Sequence, residues 1–318
     1  MRISTKHLLG VGGAAIAGTA ALSSYLLYEA SGRHARLIPY LFAGGDVKGW
    51  QAEDLARRKD FARWLNRHNA ETFSIQSHDG LRLYASCVAP EKPSDTLFFC
   101  CHGYRGSMAA AFALQTEKLH EAGCHVFLVD ERAHGRSEGN TISFGENEKE
   151  DCLKWLDLVI HRYPEVSNIV LYGVSMGSAV VLLMSGDERL PGQVRFIIAD
   201  CGYTSIDDQL ALCLKQMFHL PAFPLLPMAD LLSPALLGFS IKKIRPVDAV
   251  RKARVPILFV HGLADHFIPA AMACELYNAC STDKDLLLIE GAHHAGAYKK
   301  DPEKYRAAVR YFLERYLK

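Results

Sequence analysis

The chain has 318 residues, 49% of them hydrophobic and 22% charged, which is ordinary for a globular protein with one large core. Its formal net charge is +1 and its basic residues do not cluster, so no nucleic-acid partner is expected. Its nine cysteines lack the spacing of zinc ligands, and we expect free buried thiols and no bound metal.

An uncharged run from Leu8 to Tyr28 follows Arg2 and Lys6 at the start of the chain. A helix of this length, with a rise of about 1.5 Å per residue, matches a hydrocarbon core of about 30 Å. We therefore expect residues 1–30 to be a retained membrane anchor that contacts the bilayer through residues 8–28. Basic residues flank both ends of the run, so its orientation stays open. The alternatives are a cleaved signal, which would give a secreted protein, and a buried core helix.

Residues 31–70 are polar and mixed, and we interpret them as a linker with an amphipathic helix near residues 51–67. Beyond them, two alternating segments separated by "HDG" predict an antiparallel hairpin. Short apolar runs then alternate with stretches of helical periodicity, which predicts a mainly parallel, eight-stranded sheet with helices on both faces. The runs lie at residues 96–102, 125–130, 168–173, 194–201, 256–262 and 285–291.

The interval between the runs at 194–201 and 256–262 is longer than one crossover helix needs. It contains "QLALCLKQMFHLPAFPLLPMADLLSPALLGFSI", which is strongly apolar and broken by prolines. We predict a small helical cap inserted at about residues 205–240, because the segment is too apolar for disorder. Its composition favours an acyl chain as the bound group. Its acidic residues could instead hold the free amine of a peptide, and these are Asp207, Asp208 and Asp230.

The segment "LYGVSMGSAV" contains the pattern G-x-S-x-G, with Ser175 at its centre. It joins an apolar run that ends at Gly173 to a stretch that begins like a helix. This strand–turn–helix setting is that of a nucleophile elbow, in which a strained turn raises the serine Oγ above the edge of the sheet. Glycine suits both ends of the pattern because a Cβ there would crowd the turn. Ser175 is therefore the candidate nucleophile.

A nucleophilic serine needs a general base, and the base needs an acid that orients it. In this architecture the acid and then the base follow the serine along the chain, each just after a strand. Asp265 follows the run at 256–262, and the adjacent residues His293 and His294 follow the last run. Successive side chains of an extended chain point in opposite directions, so we expect one of the two histidines to serve the site.

Five segments together resemble the α/β-hydrolase superfamily, in the branch with a serine-aminopeptidase/monoacylglycerol-lipase-like domain and an N-terminal membrane segment. The resemblance extends from about residue 71 to the C-terminus. It implies an α/β-hydrolase fold for residues 71–318 and a reaction without a metal or an organic cofactor. The segments are "CCHGYRGS", "DERAHGRSEGN", "GVSMG", "VHGLADHFIP" and "GAHHA".

The resemblance also implies a role for individual residues. The closing motif of the family puts the catalytic histidine fourth, which selects His294 over His293 as the base. The backbone N–H groups of Tyr104 and Met176 would form the oxyanion hole, where donors fixed in advance meet the developing charge. With Ser175 and Asp265, they complete the set of candidate site residues.

Two other residues of these segments invite a functional role. His134 lies in the loop after the fourth strand, which is structural in the family. Arg105 could bind an anionic group of the substrate, but we expect it to be a solvated loop arginine.

The expected function is that of a membrane-associated serine hydrolase. It would cleave carboxylic ester or thioester bonds of a small-molecule or lipid acyl substrate through an acyl-enzyme. A serine aminopeptidase is the alternative enzyme. A binding protein without catalytic activity is the alternative of another class, since one fold serves many functions.

Overall fold

Eight strands form a single sheet in the computed structural model, which describes residues 5–37, 41 and 47–317. The strands are β1 (Glu71–Gln76), β2 (Arg82–Val88), β3 (Thr96–Cys101), β4 (His125–Asp130), β5 (Asn168–Val174), β6 (Val194–Asp200), β7 (Ile257–Gly262) and β8 (Lys284–Ile289). Their order across the sheet is β1-β2-β4-β3-β5-β6-β7-β8. The β1–β2 and β2–β4 pairs are antiparallel, whereas the remaining neighbours are parallel. The predicted sheet, with its antiparallel N-terminal hairpin, is confirmed.

Helices cover both faces of this sheet. The α-helices of the described residues are α1 (Thr5–Ser31), α2 (Val47–Arg67), α3 (Met108–Glu121), α4 (Glu146–Arg162), α5 (Met176–Ser185), α6 (Ile206–Met217), α7 (Ala222–Leu237), α8 (Pro246–Val250), α9 (Ala270–Ala279), α10 (Ala297–Lys300) and α11 (Pro302–Tyr316). Alternate side chains of a strand point to opposite faces, which separates the core into two layers. Phe99 of β3 packs in the layer that contains Trp155 of α4, whereas Phe98 packs in the layer that contains Phe112 of α3.

The segment after β6 folds into the two helices α6 and α7, and these form the predicted cap. The N-terminal helix α1 packs against α7 of this cap. Ser23 of α1 donates a hydrogen bond from its Oγ to the carbonyl oxygen of Leu225, at 3.0 Å. The side chain of Leu27 is buried, with 3% of its surface exposed. Helix α1 is therefore part of the globular fold on one of its faces.

The expected membrane-spanning segment is not supported. Among the described residues, no single helix is both long enough and apolar enough to cross a bilayer. One pair of helical segments, Ala222–Leu237 and Ile241–Val250, passes that test together, but the two are bent by 100° at their break. Helix α1 is rich in glycine, alanine and serine, which are less apolar than leucine, and one face of it contacts the cap.

The region expected to be a linker also contributes to the fold. Its helix α2 buries Phe61 and Leu65 against one layer of the core. Residues 1–4 of the expected anchor, and residues 38–40 and 42–46 of the expected linker, lie outside the described residues.

Candidate active site

Ser175 lies on a tight turn between β5 and α5. Its backbone has φ 59° and ψ −119°, a strained conformation for a residue with a side chain. A Cβ added to Gly173 would lie 2.2 Å from the carbonyl oxygen of Gly177, and one added to Gly177 would lie 2.0 Å from that of Cys101. Neither position accepts a larger residue, because the strand, the turn and the helix are in direct contact there. The turn has the geometry that the G-x-S-x-G pattern predicts for a nucleophile elbow.

The three residues selected from the sequence as a triad lie in one chain of hydrogen bonds. Nε2 of His294 is 2.8 Å from Oγ of Ser175, and Nδ1 of His294 is 2.7 Å from Oδ2 of Asp265. Asp265 follows β7 and His294 follows β8, which bring both loops to the carboxyl edge of the sheet. The arrangement can draw the proton from the serine hydroxyl while the carboxylate holds the imidazole in orientation.

Asp265 remains ionised in this environment although its side chain is fully buried. Burial alone would raise the pKa of its carboxyl. Hydrogen bonds from His261 and His294 and from the backbone N–H of Ile268 outweigh burial and hold that pKa well below its ordinary value. Oδ1 also accepts from the N–H of Phe267, at 2.9 Å. A fixed negative charge therefore faces Nδ1 of His294 and selects the tautomer in which Nε2 can accept a proton.

The histidine next to His294 lies apart from this chain of hydrogen bonds. His293 is exposed, and its Nδ1 lies 3.0 Å from the carbonyl oxygen of Ala264. His266, the neighbour of Asp265, has its ring 6.4 Å from that of His293, between ring centroids. Of the two adjacent histidines, His294 is the one within hydrogen-bonding distance of the serine.

The two backbone groups expected to form the oxyanion hole lie in segments that flank Ser175. Met176 is the first residue of α5, where backbone N–H groups have no acceptor within the helix. Tyr104 follows Gly103, and a Cβ added to Gly103 would lie 3.0 Å from Cβ of Ser175. The loop after β3 therefore passes directly against Ser175, as an oxyanion hole at this serine would require.

His134 supports this loop through the backbone of Arg105. The Arg105 N–H donates to Nε2 of His134 at 2.9 Å, and Nδ1 of His134 lies 2.8 Å from the carbonyl oxygen of Arg132. Burial lowers the pKa of His134 far below its usual range, so the ring is neutral, donates from Nδ1 and accepts at Nε2. Arg105 has φ 52°, and this hydrogen bond helps to hold its unusual backbone conformation.

The side chain of Arg105 is not the solvated loop arginine expected from the sequence. Its guanidinium donates to the carbonyl oxygens of Gly32 at 2.7 Å and Glu29 at 3.0 Å, at the end of α1. Its Nε donates to the hydroxyl of Tyr104 at 2.8 Å, and that hydroxyl donates to the carbonyl oxygen of Ala30 at 2.6 Å. The contacts with α1 leave no pattern in the sequence, because they join residues more than 70 positions apart.

An apolar cavity opens above Ser175. Its empty space is about 910 Å³ with the open mouth included. The ring of Phe267 meets the ring of His294 edge-on, with centroids 5.0 Å apart, at the base of this cavity. The cavity is lined by residues of α1 (Ser23, Leu26, Leu27, Ala30), of the cap (Ile206, Gln209, Leu210, Cys213, Leu214, Met217, Phe218, Leu225, Leu226, Ala229) and of the loops around the serine (Tyr104, Phe144, Ser175, Met176, Tyr203, Phe267, Ile268).

The carboxylates of the cap do not line this cavity. The carboxylate of Asp208 accepts a hydrogen bond from the hydroxyl of Ser205, and the backbone N–H of Asp208 donates to the Oγ of Ser205, the residue that caps the start of α6. Asp230 accepts from the hydroxyl of Ser240 at 2.7 Å and from the backbone N–H of Lys242. Asp207 is also absent from the cavity lining. These three acids are therefore poorly placed to hold the amine of a peptide next to Ser175.

Two clusters within the described residues bring potential metal ligands close together. They are His102, Glu131 and His134, and Cys201, Asp265 and His294. In the first cluster His102 accepts from the N–H of Glu131 at 3.2 Å, and its Nδ1 lies 2.9 Å from the carbonyl oxygen of Gly103. Both rings of that cluster use both nitrogens in protein hydrogen bonds, so neither presents a lone pair to an ion. The second cluster contains two members of the hydrogen-bonded triad.

Comparison with known proteins connects this geometry with one family. Residues 92–243 match the family model described as serine aminopeptidase, S33. The Bacillus subtilis protein YqkD is 32% identical over 273 residues, which span 84% of this chain and 88% of that protein. The α/β-hydrolase domain-containing protein WAV2 of Arabidopsis thaliana is 27% identical, over 77% of this chain and 79% of that protein.

Solved structures share the fold. An esterase of Pyrococcus furiosus superposes with a TM-score of 0.65 at 21% identity, over 82% of this chain and 94% of the esterase. An acylaminoacyl peptidase of Pyrococcus horikoshii gives a TM-score of 0.62 at 16% identity, over 78% of this chain and 42% of that one. At these identities the structures establish the fold, and the substrate has to be argued from the cavity.

Proposed function

This chain belongs to the serine aminopeptidase S33-like family of α/β-hydrolases and is a hydrolase; from that premise we propose that it is a serine esterase or thioesterase. Ser175 is the nucleophile, His294 the general base and acid, and Asp265 the residue that orients His294. The substrate is a carboxylic ester or thioester with an apolar acyl group. The hydrogen-bond chain from Asp265 through His294 to Ser175 is the observation that carries the proposal.

In the first half of the reaction, Oγ of Ser175 attacks the acyl carbonyl carbon while its proton passes to Nε2 of His294. The carbonyl oxygen takes up negative charge, and the backbone N–H groups of Tyr104 and Met176 stabilise it. His294 then gives the proton to the leaving alcohol or thiol as the bond to the acyl carbon breaks. Asp265 stays ionised throughout and stabilises the imidazolium.

In the second half, water takes the place of the leaving group. His294 accepts a proton from the water as its oxygen attacks the acyl-enzyme. The tetrahedral intermediate collapses, the proton returns to Oγ of Ser175, and the carboxylic acid leaves. No step requires a redox change.

The lining of the cavity supports an apolar acyl group as the substrate. Most of its side chains are leucine, isoleucine, methionine, phenylalanine or alanine. A peptide with a free amine would need a carboxylate near Ser175, and none of Asp207, Asp208 and Asp230 lines the cavity. Apolar surface favours the transfer of methylene groups from water, so an acyl chain is the better match.

Membrane association is proposed in a peripheral form. Large apolar side chains are exposed on α1 and α7, two of the helices that line the cavity, and they include Ile16, Tyr25, Phe223 and Leu231. A lipid surface against these residues would bring acyl substrates to the mouth of the cavity. Flotation of the full chain with phosphatidylcholine vesicles tests this: Phe223→Ser with Leu231→Ser should reduce the floating fraction, and an unchanged fraction would contradict it.

Turnover of p-nitrophenyl butyrate tests the catalytic proposal. Ser175→Ala should lower kcat by at least about 10³-fold, because the nucleophile is removed. Ser178→Ala is the matched control. Ser178 lies one turn along the same helix, is fully buried, and should keep activity near that of the wild type.

Two results would contradict the proposal. One is a folded wild-type protein that cleaves neither oxygen esters nor thioesters of any chain length. The other is turnover by Ser175→Ala at the wild-type rate.

A further inference from the structure

Helix α1 presents one face to the cavity and another to solvent. Four residues of its last three turns line the cavity: Ser23, Leu26, Leu27 and Ala30. Their spacing of three, one and three positions keeps them on one side of a helix. Ser23 is 1% exposed, whereas Leu22, next to it on the outer side, is 39% exposed. The inner face of α1 is thus a wall of the same cavity that opens on Ser175.

This wall extends from the reactive serine to the far part of the cap. Leu27 packs in one cluster with Met176, the residue that follows Ser175. Leu26 packs in another, with Leu214, Leu225 and Phe218 of the cap. The two positions therefore sample different distances from the serine. An acyl chain bound at Ser175 would meet Leu27 near its carbonyl end and Leu26 farther along the chain.

The helix is held in this position by the loop of the oxyanion hole. Arg105 donates to the carbonyl oxygens of Glu29 and Gly32, and the Tyr104 hydroxyl donates to that of Ala30. Terminal carbonyl groups of a helix lack intrahelical donors and carry partial negative charge, which a guanidinium satisfies well. Since the backbone of Tyr104 faces the reaction and its side chain holds α1, the wall is fixed relative to Ser175.

Helix α1 also contacts helix α7 of the cap, and the two helices line the cavity side by side. The hydrogen bond from Ser23 to the Leu225 carbonyl oxygen joins the two helices. Leu225, Leu226 and Ala229 of α7 line the cavity beside α1. A chain that enters the cavity contacts both helices, so the length of the space depends on side chains of each.

We propose that the inner face of α1 determines acyl-chain length, with Leu26 as the residue that sets the far limit. The proposal rests on the proposed esterase or thioesterase function and names a specificity determinant for it. Each methylene of the substrate that is buried against this wall contributes about fourfold to kcat/KM. A larger side chain at the far end of the cavity removes this gain for substrates with long acyl chains. Substrates with short acyl chains do not reach that end and are less affected.

The test measures kcat/KM for p-nitrophenyl acetate, butyrate, octanoate and dodecanoate. In Leu26→Trp the ratio of octanoate to acetate should fall by at least about tenfold, because the larger side chain occupies space for two or more methylenes. In Leu26→Ala the preferred chain should become longer, towards dodecanoate. Leu22→Trp is the matched control, since it places the same indole on the outer face of α1. It should leave the ratio within about twofold of the wild type.

The outcomes separate this inference from the proposed function. If the wild type cleaves esters but both Leu26 variants keep its chain-length profile, α1 is not the specificity wall and the inference fails. If the wild type cleaves no ester or thioester, the proposed function fails first and takes the inference with it. A thermal melt of each variant identifies one that does not fold, and in that case the Leu26→Ala profile decides the inference.

Discussion

Arg105 caps the end of helix α1 by donating a 2.7 Å hydrogen bond to the carbonyl oxygen of Gly32. The backbone N–H of the same residue donates to His134, which lies behind the loop that follows β3. One residue therefore connects the N-terminal helix, the proposed oxyanion hole and the loop after β4.

Removal of the Arg105 side chain should weaken both stability and turnover. Arg105→Ala leaves several carbonyl oxygens without a donor, which should cost about 1.5–3 kcal/mol in the free energy of unfolding. It should also lower kcat more than it changes KM, because the loop of the oxyanion hole loses its support. Urea unfolding and ester kinetics measure the two effects.

Two variants serve as controls for this prediction. Arg136→Ala changes an arginine that is half exposed and should leave both quantities near those of the wild type. Arg105→Lys restores the positive charge but not the fork of donors, and it should recover part of the stability. An Arg105→Ala protein with wild-type unfolding and kinetics would contradict the connection.

The two adjacent histidines should differ sharply in their effect on catalysis. His294→Ala removes the group that lies 2.8 Å from the serine Oγ, and kcat should fall by about 10³-fold or more. His293→Ala changes an exposed side chain and should keep kcat within about threefold. Ester kinetics on the two variants measure the difference. The reverse order of effects would assign the base to His293.

Loss of the charge on Asp265 should impair turnover while substrate binding is kept. Asp265→Asn keeps the size of the side chain but removes the carboxylate that selects the tautomer of His294. We expect kcat to fall by about 10³–10⁴-fold with little change in KM. Steady-state kinetics over several substrate concentrations separate the two parameters. A fall in kcat of less than about tenfold would argue against this role.

Asp200 should make the free energy of unfolding fall as the pH rises. A carboxyl with a lowered pKa, such as Asp265, has the opposite effect. Burial raises the pKa of Asp200 to about 6, although a hydrogen bond from Tyr305 and the nearby His261 and His294 partly oppose this. A carboxyl with a raised pKa contributes stability that is present below its ordinary pKa of about 4 and is lost as pH rises through about 6. In Asp200→Asn this loss should disappear.

Urea unfolding at pH 5 and pH 8 tests that prediction. The wild type should lose more unfolding free energy between the two values than Asp200→Asn does, since Asn is neutral at both and can still accept from Tyr305. Tyr305→Phe is the comparison that removes the hydrogen bond and keeps the carboxyl. This variant should raise the pKa of Asp200 further and increase the loss of unfolding free energy between pH 5 and pH 8. Equal pH dependence in wild type and Asp200→Asn would contradict the assignment.

The sequence was most informative where chemistry depends on local geometry. The elbow around Ser175 needs a strand, a tight turn with two glycines and a helix, and each leaves a short-range pattern. Asp265 and His294 could be selected because parallel strands bring the loops at their carboxyl ends to one edge of the sheet. Of the two adjacent histidines, the residues alone selected neither, and a resemblance to known motifs was needed.

The sequence was least informative about the N-terminal helix. The uncharged run from Leu8 to Tyr28 suits any apolar environment, and a bilayer and the wall of a cavity present similar surfaces. Which of them a helix meets depends on tertiary contacts, here those with α7 and Arg105. Such contacts join distant parts of the chain and leave no periodic signal, which is why Arg105 was expected in solvent.

Ser175 is proposed to be an activated nucleophile, and covalent labelling with a fluorophosphonate measures that reactivity without a choice of substrate. The phosphonyl group should attach to the wild-type protein, and peptide mapping by mass spectrometry should locate it on the peptide that contains Ser175. His294→Ala should be labelled much more slowly, and Ser175→Ala not at all. A folded wild-type protein that takes up no label, or one labelled at another residue with Ser175 unmodified, would contradict the claim.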